Sequence, residues 1–169
     1  MTASVGDAPF PLPVADADTR PFWDAAMQRR LVVQHCAACA KWIWQPKPVC
    51  PRCYAVDVPW EQLHGDGTVA SWTVIRPPVL PAFQPSVPFV ILLVALDGAP
   101  GVRMVGQLVD EQGALLVTDG VAEGLAMGAR LELRWREQGE VILPAWQLAS
   151  PADTPRVSAW AGNRPTDAR

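Results

Sequence analysis

Four residues of this chain have the type and spacing to do metal chemistry: Cys36 and Cys39 in one CxxC turn, Cys50 and Cys53 in a second. They are all the cysteine the protein has. A CxxC turn presents two thiolates to one ion, and two such turns complete a tetrahedral four-sulfur site. Soft sulfur ligands suit zinc best, with iron in a rubredoxin-like centre as the competing metal. A redox site uses one CxxC rather than two, and paired disulfides belong to exported chains. Met1–Asp7 carry neither a basic nor an apolar targeting region. The expectation is therefore a structural zinc ribbon with ligands Cys36, Cys39, Cys50 and Cys53, in a chain with reduced thiols and a cytoplasmic location.

The other chemistry-bearing residues are weaker signals. His35 precedes a site already full with four thiolates, so a strand-end role is expected. His64-Gly65-Asp66 could form an acid–base pair, but it sits in a Gly-rich turn with no nucleophile at a recognisable spacing. No GxSxG, P-loop or GxGxxG sequence is present. Arg76, Arg103, Arg134 and Arg136 have the planar fork that recognises phosphate, although solvated strand faces explain them more simply. The loop Arg76–Pro88 is long, apolar and proline-rich, as at an interface, an acyl site or a lid over one barrel end.

These residues need elements to hold them. The N-terminal residues 1–19 have no hydrophobic period and read as an extended or disordered arm. Residues 20–63 read as a helix and a zinc ribbon. Pro21 suits a first helical turn, and Phe22, Trp23, Ala26 and Met27 share one face. So short a helix must dock that face on its own core or on a partner. Leu31–Gln34 reads as a strand into the first metal turn, and Val58–Leu63 as a linking strand. Residues 64–148 give five strand-like segments: Thr68–Ile75, Phe89–Leu96, Arg103–Val109, Arg130–Trp135 and Val141–Trp146. The unbroken apolar run of the second predicts burial on both faces. Pro144 in the last predicts an edge strand. With a helical turn expected near Val121–Ala126, the layout is that of a five-stranded OB-fold barrel. Residues 149–169 read as a flexible tail.

Composition bounds the function. A formal net charge of −3 and a pI near 5.3 argue against a nucleic-acid partner, which usually needs a basic excess. No apolar run is long enough for a transmembrane helix.

The ordered set of motifs resembles a known family. It comprises Pro21-Phe22-Trp23, the Leu31–Gln34 strand, the two CxxC turns, Pro46-Lys47-Pro48, Cys50-Pro51, Gly67-Thr68-Val69 with Ser71 and Thr73-Val74, and Leu143-Pro144. Together, over residues 20–147, these resemble the zinc-ribbon and OB-fold proteins associated with acyl-CoA metabolism and thiolase-like enzymes. In that family a glycine often follows each CxxC; here Ala40 and Tyr54 stand there, at positions that favour positive φ. The resemblance implies a hetero-oligomer with a thiolase-like protein, an acyl-CoA substrate and a structural zinc. Some members partner a retro-aldol lyase that shortens sterol side chains as CoA thioesters. The catalytic groups would lie on the partner, since no cysteine here is spare as a thiolase-type nucleophile. A stand-alone acyl-CoA-binding module is the second reading, and a nucleic-acid-binding ribbon and barrel the third. The third predicts micromolar, salt-sensitive oligonucleotide binding, whereas the charge predicts none; a titration at two salt concentrations separates them.

Overall fold

The computed structural model describes residues 10–118 and 124–150. Helix α1 spans Arg20–Ala26. Ahead of it, the Thr19 backbone N–H and hydroxyl both donate to the Asp16 carboxylate, at 2.8 and 2.6 Å. The hydroxyl bond is the largest cause holding the Asp16 carboxyl below its usual range. Pro21 sits in the first turn, as its fixed φ and missing N–H favour.

A three-stranded antiparallel sheet follows, in the order β2-β1-β3: β1 is Leu31–His35, β2 Trp42–Ile43 and β3 Trp60–Leu63. Strand β3 does more than link two modules. It pairs with β1 from Leu31↔Leu63 to Gln34↔Trp60 and makes β1 the central strand.

Five strands then close a barrel in the order β4-β5-β6-β8-β7. They are β4 Gly67–Ile75, β5 Phe89–Leu96, β6 Arg103–Leu108, β7 Arg130–Gln138 and β8 Val141–Leu148. Closure runs through Gly67↔Leu131 and Thr68↔Arg130. The five expected barrel segments are all present. The helical turn expected near Val121–Ala126 falls partly outside the described residues, and Gly124–Ala126 are not helical.

Two details differ from expectation. Strand β5 is buried on one face only: Val90, Leu92, Val94 and Leu96 point inward, while Ile91, Leu93 and Ala95 are half-buried. A single-layered barrel puts nothing over its outside, so the second apolar face has no cover among the described residues. Strand β8 is not an edge. It lies between β7 and β6, with a parallel ladder to β6 at Gln107↔Ala145 and Leu108↔Trp146. Ala149 donates to the Arg130 carbonyl. Counting the alternation from there, Pro144 opposite Trp135 is a non-hydrogen-bonded position of the β7–β8 pair. Its missing N–H is therefore not demanded by β7, and the β6 ladder starts one residue later.

One hydrophobic core spans helix, ribbon sheet and barrel. Phe22, Leu31 and Val33 belong to the same buried cluster as Val69, Val90, Leu92, Met104, Leu131 and Trp146. Phe22 is 3% exposed, with its ring 4.8 Å from Trp44 and 4.9 Å from Trp23. Helix α1 thus docks Phe22, Ala25 and Ala26 on the chain's own core, whereas Met27, expected on the same face, is exposed. Trp146 fills the barrel centre, fully buried, and its Nε1–H donates to the Gly65 carbonyl at 2.9 Å. That bond satisfies the single polar atom of the indole.

Trp146 fits because Gly106 has no side chain: a Cβ there would lie 2.3 Å from the indole. Gly106→Ala should therefore destabilise the barrel by about 1–3 kcal/mol through overpacking. Chemical denaturation of the variant checks this, and an unchanged midpoint would mean that Trp146 can move aside.

Candidate metal centre and surrounding site

Two short loops build the site, and both close in the same way. In the first, the Ala40 N–H donates to the Cys36 carbonyl and the Cys36 N–H to the Lys41 carbonyl, at 2.8 and 2.9 Å. In the second, the Tyr54 N–H donates to the Cys50 carbonyl and the Cys50 N–H to the Ala55 carbonyl, at 3.0 and 2.9 Å. Each turn needs a left-handed residue directly after its CxxC. Ala40 has φ 54° and Tyr54 φ 61°, the positive values expected at both places. A third tie is side chain to backbone: the Lys47 N–H donates to the Gln34 amide oxygen at 2.8 Å, fixing the inter-knuckle loop to β1. Nothing in the sequence marked Gln34 for that role.

The four sulfur atoms lie within 4.8 Å of one another. Cys36 and Cys53 are 3.5 Å apart, Cys39 and Cys50 3.7 Å. Sulfurs bound tetrahedrally at about 2.3 Å from zinc stand about 3.8 Å from each other. The residues therefore fit the ion. Cys36 and Cys50 are fully buried, Cys39 is half-buried and Cys53 is exposed. Burial opposes charge on Cys50, but N–H groups of Cys53 and Arg52 and the neighbouring thiols outweigh it and bring its pKa down to about 6. At Cys53 the Ala55 N–H favours the thiolate, yet the Cys39 sulfur and burial push the pKa up to about 12. Thiolates this close repel one another, and a divalent cation at their centre supplies the compensating charge.

His35 is not a ligand. Its Nδ1 lies 2.7 Å from Glu61, and its ring stacks on Trp42 with centroids 4.2 Å apart. His64 and Asp66 do meet, at 2.9 Å, and the other Asp66 oxygen accepts the Leu133 N–H at 3.1 Å. His64 is almost wholly exposed, its side chain 89% accessible. The pair borders a cavity of about 450 Å³ at the seam of ribbon and barrel, lined also by Arg29, Arg30, Arg134 and Trp135. No serine, threonine or cysteine lines it, so it holds no nucleophile of those types for the pair to activate. Arg134 is paired with Glu132 at 2.7 Å. Arg136 bonds the amide oxygens of Gln107 and Gln138, at 2.6 and 2.5 Å. Arg103 lies on β6, and Arg76 follows the end of β4. The 76–88 loop carries a 3-10 turn, Pro81–Ser86, whose Phe83 contacts Phe10 and Phe89 at 5.2 and 6.1 Å.

Two parts of the chain match described domains. Residues 23–57 match the rubredoxin-like zinc ribbon domain of ChsH2, and residues 60–136 its C-terminal OB-fold domain. A chain of the solved "Ltp2-ChsH2(DUF35) aldolase" is 34% identical with a TM-score of 0.68, over 82% of this chain and 100% of that one. The chain belongs to the ChsH2 family. The ChsH2 match names the ion as zinc, in keeping with the four-thiolate geometry.

A "probable enoyl-CoA hydratase alpha subunit" from Thermomonospora curvata is 35% identical over 145 residues, or 85% of this chain. The chain spans 41% of that relative's length. A DUF35-family protein of unknown function from Sulfolobus solfataricus shares the fold at 13% identity and TM-score 0.50, over 80% of this chain and 87% of that one.

Two outcomes test the ribbon. Cys50→Ser should lose zinc and ribbon folding together, read by metal analysis and circular dichroism; full zinc occupancy would overturn the ligand set. Tyr54→Gly should retain zinc and gain up to about 1 kcal/mol, because glycine adopts positive φ without the Cβ penalty. A lower melting temperature for that variant would show that the Tyr54 side chain outweighs its strain.

Proposed function

We propose that this chain is an accessory subunit that binds a thiolase-like protein and supports acyl-CoA carbon–carbon bond chemistry, such as retro-aldol cleavage of a sterol side-chain CoA thioester. The observation that carries this reading is the likeness to one chain of the Ltp2-ChsH2 aldolase along that chain's entire length. The relative described as an enoyl-CoA hydratase subunit supports a CoA thioester as the substrate class, although hydration is a different reaction from carbon–carbon cleavage.

The residues support a division of labour. Four thiolates close the coordination shell of zinc, leaving no open position for substrate, so the ion's contribution is to fold the ribbon. The described part of the chain offers no free cysteine outside that cluster. Among the described residues, no serine, threonine or cysteine lines the cavity beside its His64–Asp66 pair. The catalytic groups accordingly belong to the partner, and this chain binds and positions. The complex operates in the cytoplasm on this reading. No described helix is long and apolar enough to cross a membrane.

The purified chain should show no turnover of a CoA thioester by itself. Coexpressed with its thiolase-like partner it should elute as a stable hetero-oligomer that cleaves the thioester. Turnover by the isolated chain would overturn the accessory role. Tight binding of CoA by the isolated chain, with no complex formed, would favour the stand-alone acyl-CoA-binding module instead.

A further inference from the structure

The outer face of the barrel has an unusual charge pattern. Strands β4, β5, β6 and β8 contain no aspartate or glutamate, although the formal net charge of the chain is −3. On the outward side of these strands, Leu93 stands opposite both Ser71 and Val105, and Ile91 opposite both Thr73 and Gln107. Val105 is 62% exposed. Ser71, Thr73, Ile91, Leu93 and Val105 line a groove of about 170 Å³.

Two arginines flank this strip. Arg103 is exposed and alternates outward with Val105 and Gln107, while Met104 points into the core. Arg136 reaches across from β7 to bond Gln107, the cross-strand neighbour of Ile91. Its two hydrogen-bond partners, Gln107 and Gln138, are neutral amides. Among the described residues, neither Arg103 nor Arg136 forms an ion pair. Burial pulls the Arg136 guanidinium pKa below its ordinary value. A half-buried cation held only by amides gains most from a planar, bidentate carboxylate.

We propose that this face, from the Ile91–Leu93–Val105 strip to Arg103 and Arg136, docks a different protein that presents apolar side chains flanked by carboxylates. The inference rests on the accessory-subunit reading, which makes the thiolase-like chain the occupant. A second copy of this chain fits badly. A two-fold contact sets the same patch against itself, so it would bring Arg103 and Arg136 of one copy against those of the other, with no acid on these four strands to compensate and with Glu132 and Glu137 of β7 already paired to Arg134 and Arg29. Like charges in such an arrangement disfavour association.

The test uses the full chain and its coexpressed thiolase-like partner. Val105→Asp and Arg136→Gln should each raise the dissociation constant by about tenfold or more, with zinc content and melting temperature of the isolated chain unchanged. If Arg136→Gln fails to fold, Arg103→Glu takes its place, since Arg103 is exposed and pairs with nothing among the described residues. Added salt should weaken the wild-type complex more than the Arg103→Glu complex. A wild-type complex that all three variants form with unchanged affinity overturns this surface while leaving the accessory role standing. Absence of any complex with the wild-type chain overturns the accessory role and this surface with it. A wild-type homodimer that Val105→Asp dissociates would assign the face to self-association and refute the proposal.

Discussion

The ribbon depends on the attraction between one cation and four thiolates. Its own buried cluster is Cys36, Ile43 and Cys50, with Cys39, Ala55 and Val58 packed against it. That is far too little apolar area to order two loops against their conformational entropy. Metal binding supplies what the core cannot, and the free energy of binding becomes free energy of folding. The backbone is bent to suit. Both knuckles accept a left-handed non-glycine residue, because the chain turns back there and brings the next carbonyl, of Lys41 or Ala55, to the N–H of the first cysteine.

Ordering the ribbon also orders much of what lies beyond it. Strand β1 leads directly into the first cysteine, and through β3 it binds the segment that enters the barrel. Leu31 and Val33 on β1 join the barrel residues in one core, and α1 covers them with Phe22. Ribbon and barrel are thus continuous in packing. At their seam Gly65 lets the chain pass close to Leu133 while its carbonyl receives the buried indole of Trp146. Replacing Trp146 would leave both a large void and an unpaired carbonyl.

Membership of the ChsH2 family gives these features a setting. The four thiolates form a closed metal shell, Arg134 is ion-paired and, among the described residues, no serine, threonine or cysteine lines the cavity beside His64 and Asp66. The chain's polar network is largely spent on itself: Arg29 with Glu137, Arg130 with Asp97, His35 with Glu61. Arg103, on acid-free β6, and Arg136, on β7 where Glu132 and Glu137 already pair with Arg134 and Arg29, stand apart from that pattern.

Sequence alone determined what depends on local constraint. Two CxxC turns at close spacing fix a four-thiolate site, and the residue after each must take positive φ whatever the rest of the chain does, as Ala40 and Tyr54 do. Strand-like apolar segments bounded by turn formers located all five barrel strands to within a few residues. Tertiary structure decided what depends on which strands meet. An apolar run cannot reveal how many of its faces are covered, so β5 read as doubly buried. A proline is excluded only from hydrogen-bonded positions, and the register that spares Pro144 comes from β7. The docking of Phe22 on the shared core and the reach of Arg136 to Gln107 depend on tertiary packing and strand register. Residues remote in sequence become neighbours only when the barrel closes, and no local pattern encodes which ones.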